Sequence, residues 1–385
     1  MTRALGPSMF TGFDPSPPAF VRPLLAALSE PARCDGYDAA QWDRVIPLAR
    51  SARLLGVLAA RLIHTIDTTR LDERVQRHLQ SGLLEARFRR QKTLHLLHAI
   101  TPLLHGHAGP WVLLKGAAYI AQDLPIAHGR LPSDVDLMVL RAALDGIEQS
   151  LLAAGWEFEK TDAYDQHYYR DWSHELPPMQ AAGQALELDL HHTILPPIGR
   201  IRPDTAGLFA RAVPLPNSPF HVLDPLDQLL HAVVHLVHDS DMVGRLRDLL
   251  DIDGLMRRAD LAQQAHRELL IERAALHGMP RPLWLAASLA ERWFGTSGCA
   301  ELAQEISARA PLVRTVGWVM PLASRVLGPP PLDGCRGPLT PLAGRLLEAR
   351  AQWLRMPPWT LAYHAASKAL RHFQKRDAPA ADTPA

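Results

Sequence analysis

Residues 111–140 read W-V-L-L-K-G-A-A-Y-I-A-Q-D-L-P-I-A-H-G-R-L-P-S-D-V-D-L-M-V-L. An apolar run ends in Lys115 and Gly116, a helical stretch follows, and then Asp134 and Asp136 alternate with Val135 and Leu137. Side chains two residues apart on a strand share a face. Both carboxylates therefore leave one side of a strand whose other side is apolar. Two carboxylates that close raise each other's pKa unless something positive stands between them. A divalent cation meets that need, and hard oxygen ligands suit Mg²⁺ or Mn²⁺. The glycine turn just upstream points to a phosphate beside the metal.

The rest of the chain places this strand in a small mixed α/β unit. Residues 111–114 are expected to form a short buried strand, 116–122 a helix and 134–140 a second strand. Residues 141–154 have the pattern of an amphipathic helix, with Gly155 at its C-terminal end. Further strands are expected at 156–160, 166–170 and 186–193, the last reading L-E-L-D-L-H-H-T with alternating polarity.

The flanks are helical in pattern. Before residue 111 the apolar positions of 42–64 and 71–105 recur at close to 3.6 residues, among them Leu79, Leu83, Leu84, Phe88, Leu94 and Leu97. After Pro203 helices are expected at 224–238, 245–258, 261–277 and 280–294. A Pro/Gly-rich break at 328–339 precedes helices at 341–354 and 359–373. The organisation that follows is a helical segment 1–108, a catalytic core 109–200, a helical domain 201–327, C-terminal helices 328–375 and a disordered tail 376–385. The fold class is α/β (α+β), a small mixed sheet between helical segments.

Composition narrows the function classes. With 385 residues, 47% of them hydrophobic, the chain can bury a sizeable core. Its 41 basic and 40 acidic residues leave a net charge of +1, which disfavours a broad nucleic-acid footprint. Cys34, Cys299 and Cys335 lack metal-ligand spacing and read as free thiols of a reducing compartment. No signal-peptide pattern opens the chain, and no window has the apolar length of a membrane span. A cytoplasmic location and no membrane partner are expected.

Asp189 lies on the expected strand 186–193, and Glu187 shares its face as a substitute ligand. A third carboxylate on a neighbouring strand completes the set that phosphoryl and nucleotidyl transfer need. One cation positions the attacking oxygen and another neutralises the triphosphate. The third carboxylate can also take the proton of the attacking hydroxyl.

Three motifs together, L-L-K-G-A, R-L-P-S-D-V-D-L at 130–137 and L-D-L-H-H at 188–192, resemble the nucleotidyltransferase superfamily that includes DNA polymerase β. They are most similar to a bacterial group of uncharacterised nucleotidyltransferases. The resemblance is strong over about 80 residues and weaker through L-D-P-L-D-Q-L-L-H-A-V-V-H-L-V-H and R-L-R-D-L-L-D-I-D. It implies that Asp134 and Asp136 bind the metals and that Asp189 completes the site. It implies that Gly116 and Ala117 contact the triphosphate, with Lys115 and Arg130 as the positive charges around it. The chain departs from the superfamily at Ala117, where serine is usual, and Lys115 or Arg130 would supply compensating charge.

Other clusters are weighed against ordinary packing. His191 shares the Asp189 face and either lines the pocket or serves as a sheet histidine. His231, His235 and His238 share a helix face, yet no cysteine or H-E-x-x-H accompanies them. Packing against the catalytic unit is the preferred reading. Of Asp248, Asp251 and Asp253, Asp251 is the one the resemblance directs to the site.

The expected reaction transfers a nucleoside monophosphate from an NTP, with ATP the expected donor, to an acceptor hydroxyl. The acceptor is a small molecule such as an aminoglycoside or sugar, a protein side chain or an RNA end. Three other readings stay open. One is a nucleotide-binding regulatory module without turnover, and another is a toxin–antitoxin component that AMPylates a partner protein. The third is a helical scaffold with an incidental D-x-D.

Overall fold

The computed structural model describes residues 15–159, 162–238, 242–334, 337 and 339–363. The expected tail 376–385 and Cys335 lie outside these residues, and the last expected helix is described only to Tyr363. Seven strands form one mixed sheet: β1 (Trp111–Leu113), β2 (Asp134–Met138), β3 (Trp156–Phe158), β4 (Met179–Ala181), β5 (Glu187–His191), β6 (Val213–Pro214) and β7 (Phe220–Val222). Their spatial order is β3-β4-β5-β2-β1-β7-β6. The expected α+β class is what the chain adopts, with helices on both sides of the sheet in sequence.

The central strands form where the sequence is most apolar. Val112, Leu113, Val135, Leu137, Met138 and Leu190 are all fully buried. β1 runs antiparallel to β2 and parallel to β7, and β2 runs parallel to β5. A parallel pair needs a long crossover. Here residues 139–186 supply it with the helix Arg141–Ala153, β3, a helical turn and β4.

β4 forms where no strand is expected, and two further features differ from the sequence reading. Residues 166–170, expected as a strand, are helical: Ala163–His167 leads directly into the π-helical turn Tyr168–Trp172. Their aromatic residues pack edge to face at i, i+1 and i+4, as Tyr168 does on Tyr169 and Trp172. Helical spacing thus overrides the strand preference of tyrosine and tryptophan. The other difference is β6 and β7, which extend the sheet beyond residue 200. Their two and three residues are too short to show alternation, and the pairing of β7 to β1, with β6 outside it, is a long-range contact.

In the N-terminal flank the helix Arg22–Ser29 is followed by a capping box. Asp38 accepts the Gln41 amide and Gln41 accepts the Asp38 amide, each at 2.8 Å, and the helix Ala39–Ser51 follows. The periodic stretch 42–64 is broken where Arg53 takes φ 57°, so Leu55–Ile63 is a separate helix. Glu73–Leu104 is one helix of 32 residues. At 1.5 Å per residue it is about 48 Å long and outruns the neighbours that cover it. Leu84, Phe88 and Leu94 consequently face solvent, despite their place in the apolar pattern.

Three backbones cross where glycine permits it. A Cβ on Gly56 would lie 2.5 Å from the Gly129 carbonyl oxygen and 2.9 Å from that of Gly82. Gly129, at φ +81°, would clash in return with the Gly56 carbonyl at 2.1 Å. The helices Leu55–Ile63 and Glu73–Leu104 are thereby fastened to the loop that presents Arg130. Toward the C-terminus, Asp227 on the helix Pro225–His238 is fully buried. It receives Arg211 Nε at 3.0 Å, Arg273 Nη1 at 2.8 Å and His277 Nε2 at 3.0 Å. No helix among the described residues is long and apolar enough to cross a membrane.

Two stability predictions follow from this packing. Gly56→Ala should cost about 1–3 kcal/mol through overpacking, and Gly129→Ala more, because alanine also resists the positive φ; denaturant unfolding measures both. Burial raises the Asp227 carboxyl, but the bonds from His277, Arg273 and Arg211 outweigh it and hold the carboxyl below its ordinary value. Its stabilising contribution is complete above the unfolded value near pH 4 and is lost as pH falls through the folded one. Wild type should therefore lose stability below pH 4 more steeply than Asp227→Asn, whose own deficit should be largest near neutral pH. Parallel stability–pH curves would contradict this.

Candidate functional site

The β2–β5 pairing sets Asp134 opposite Glu187, Asp136 opposite Asp189 and Met138 opposite His191. The D-x-D face and the D-x-H face thus meet on one side of the sheet, with Val135, Leu137, Leu188 and Leu190 buried on the other. Asp134, Asp136, Asp189 and His191 are brought together as neighbours. Glu187 stands at the margin and accepts Gln180 Nε2 at 3.0 Å.

Asp136 is the hub. Its Oδ1 receives Lys115 Nζ at 2.9 Å and lies 3.0 Å from His191 Nε2. Burial alone would raise the Asp136 carboxyl, but the Lys115 ammonium and the His191 bond hold it well below the usual range. Lys115 begins the helix Lys115–Ala121 directly after β1, and its φ is +42°. Non-glycine residues seldom adopt that conformation, and it costs of the order of 1–3 kcal/mol.

Asp189 has the opposite environment. Its Oδ1 is buried with no hydrogen-bond partner among the described residues. Burial, then the charges of Asp136, Glu175 and Asp134, push its carboxyl up to about 9. Asp134 is also raised, by burial first and by Asp136 second. An unpartnered buried oxygen beside two further carboxylates is a donor set suited to a hard divalent cation. Asp134, Asp136 and Asp189 can hold one, with Lys115 giving way at Asp136.

An open cleft with about 470 Å³ of empty space lies beside Asp134, walled by Lys115, Arg130, Arg247 and Asp248. Arg130 is buried and its Nε donates to Asp251 Oδ2 at 3.0 Å. Its guanidinium carbon lies 5.7 Å from the Tyr119 ring centroid. A Cβ on Gly116 would come within 2.2 Å of Arg130 Nη1, so a side chain there would displace this guanidinium. Ala117 is 1% exposed, and its methyl belongs to the core rather than to the open cleft. Asp251 therefore reaches the cleft as Arg130's partner. Asp248 lines it too, while Asp253 turns away to Arg257 Nε at 2.8 Å and Thr296 Oγ1 at 2.6 Å.

The histidine face of Pro225–His238 serves packing and the cleft. His235 Nδ1 lies 2.8 Å from Arg245 Nη2, and buried His231 has its pKa lowered by burial and the nearby Lys115. Sequence reasoning missed His174 and Glu175. Together with His191 they bring three potential ligand atoms within 4.8 Å of one another, and the three aspartates stand beside this group rather than in it. The stretch Ser173–Leu176 has neither periodicity nor motif spacing that would have singled it out.

A model of the uncharacterised nucleotidyltransferase family matches residues 38–295, about two thirds of the chain. No curated protein matches it.

Asp189 gives a prediction. Its folded-state carboxyl titrates above its unfolded value, so ionising it at neutral pH works against folding, with stability falling as pH rises from about 4 toward 9. Asp189→Asn should raise the Tm of the metal-free protein at pH 7.5 by several degrees and flatten this dependence. An unchanged or lower Tm would contradict the assignment.

Proposed function

Because the chain belongs to the uncharacterised nucleotidyltransferase family, we propose that it transfers a nucleoside monophosphate from an NTP, ATP being the expected donor, to an acceptor hydroxyl. The acceptor oxygen bonds to the α-phosphorus, the bond to the bridging oxygen breaks, and pyrophosphate leaves. The observation that carries this reading is the placement of Asp136 opposite Asp189 on adjacent parallel strands, with Asp134 on the same face.

Asp134, Asp136 and Asp189 would hold Mg²⁺ or Mn²⁺. Bound there, the cation supplies neutralisation of the triphosphate and alignment of the attacking oxygen. Asp189 completes the coordination and, ionised beside the cation, takes the hydroxyl proton. Lys115 moves between Asp136 and the phosphates, since a flexible ammonium can serve either anion. Arg130, held by Asp251 and flanked by Gly116 and Tyr119, presents its remaining N–H groups to the triphosphate. We assign catalysis to residues 109–200, with segments 1–108, 201–327 and 328–375 around it, the second of which also supplies β6 and β7. We place the protein in the cytoplasm on the strength of the buried free thiols Cys34 and Cys299.

Ala117 favours a second reading, a nucleotide-binding module without turnover, because the serine hydroxyl usual in the superfamily is missing.

Calorimetric titration of each of the four NTPs with Mg²⁺ tests the site. Wild type should bind one of them in a Mg²⁺-dependent manner, and Asp134→Ala/Asp136→Ala should not. Binding that persists in the double variant would sink the assignment. Lys115→Ala should weaken NTP affinity about tenfold or more, as loss of a charge-assisted contact predicts. Asp136→Asn should abolish label transfer from α-labelled NTP, whereas binding without any transfer by wild type would select the second reading.

A further inference from the structure

The backbone of His174–Leu176 is fixed against the end of β5. Glu175 forms an antiparallel bridge with His191, the His192 amide donates to the His174 carbonyl at 2.9 Å, and the Leu176 amide donates to Leu190 at 2.8 Å. Glu175 Oε2 consequently sits 3.3 Å from His191 Nε2 and 3.7 Å from His174 Nε2. The two imidazole rings tilt toward each other with centroids 5.2 Å apart. His174 and His191 are both buried, and Glu175 is half-buried.

Charge in this corner is unbalanced. Asp136, Glu175 and Asp134 all act on Asp189 here, Lys115 is bonded to Asp136, and Arg130 offsets part of the charge at Asp134. Concentrated buried carboxylates are costly without compensating positive charge. Glu175 and Asp136 both approach His191 at Nε2, while its Nδ1 is buried with no hydrogen-bond partner among the described residues. A ring whose outer nitrogen is bound to nothing is an incompletely used group in the interior.

We propose that His174, Glu175 and His191 form a metal site of their own for a borderline transition-metal ion such as Zn²⁺, next to the three-aspartate site. Two imidazole nitrogens and one carboxylate oxygen match the donor preference of zinc and its neighbours, whereas Mg²⁺ prefers oxygen alone. Three protein ligands leave a coordination position open. The two sites adjoin at the His191 ring, whose Nε2 is within reach of both Glu175 and Asp136, without sharing an ion type. This inference does not depend on nucleotidyl transfer.

The test uses full-length protein, stripped of metal and titrated with Zn²⁺ against a chromophoric chelator. Wild type and Asp134→Asn should take up one tight Zn²⁺. His174→Gln and Glu175→Gln should bind it about tenfold more weakly or worse, since even outer-shell partners of a metal contribute that much. No tight uptake by wild type would overturn the proposal. So would equal affinity in both His174→Gln and Glu175→Gln, or weakening confined to Asp134→Asn, which would put the ion among the aspartates. Should the variants misfold, X-ray absorption on wild type loaded with one equivalent decides. Two imidazole nitrogens at about 2.0–2.1 Å from zinc support the site, and fewer than two overturn it.

Discussion

The parallel pairing of β2 with β5 is the constraint on which the rest depends. It places Asp136 opposite Asp189 in a buried sheet, where each carboxylate must be neutralised or protonated. The two answers differ within one pair. Asp136 keeps its charge through Lys115 and His191, while Asp189, with an orphan oxygen, is driven toward the neutral form. Neighbouring carboxylates with divergent proton affinities are the arrangement expected where one binds charge and the other moves a proton. A one-residue slip of β5 would turn Asp189 and His191 into the apolar layer and bring Leu188 and Leu190 out.

The helical flanks complete the cleft rather than merely surround it. The loop carrying Arg130 is held from three directions. Gly56 and Gly129 cross at van der Waals limits, Asp251 takes Arg130 Nε, and the Leu131 carbonyl accepts Arg53 Nη2 at 3.2 Å and Arg247 Nη1 at 3.1 Å. Arg53 comes from the N-terminal helices and Arg247 from the helix Leu246–Arg258. A buried guanidinium is tolerable only with such partners, so the segments on either side of the sheet are tied to the position of one cleft residue. The family match from residue 38 to 295 begins at the Asp38 capping box and ends at Gly295, the left-handed cap of Pro280–Phe294. It therefore takes in every element that holds this loop.

His191 links two environments. Its Nε2 stabilises the ionised Asp136 and is also approached by Glu175, while its ring tilts toward that of His174. Its backbone is fixed in β5 and bridged to Glu175, so neither contact can be lost without disturbing the other.

The sequence by itself determined the chemistry-bearing strand pair. Alternation places Asp134 with Asp136 and Asp189 with His191 on single faces, because a two-residue period is a local property of extended backbone. It also located the helices Glu73–Leu104, Pro225–His238, Leu246–Arg258, Gln264–Leu276, Pro280–Phe294 and Leu339–Arg355 to within a few residues, since their apolar period is local too, but not Arg22–Ser29, Thr205–Ala210, Cys299–Arg309 or Val319–Val326. Tertiary structure decided which strands are neighbours, and hence that Asp136 meets Asp189, because sheet order depends on long-range pairing. It decided that Arg130 belongs with Asp251, 121 residues away. It decided that residues 166–170 are helical and that the short strands β6 and β7 exist, because two or three residues take their conformation from the partner they bond. It alone brought His174 and Glu175 to His191, since an irregular segment has no period to read and its side chains acquire meaning only from what they face.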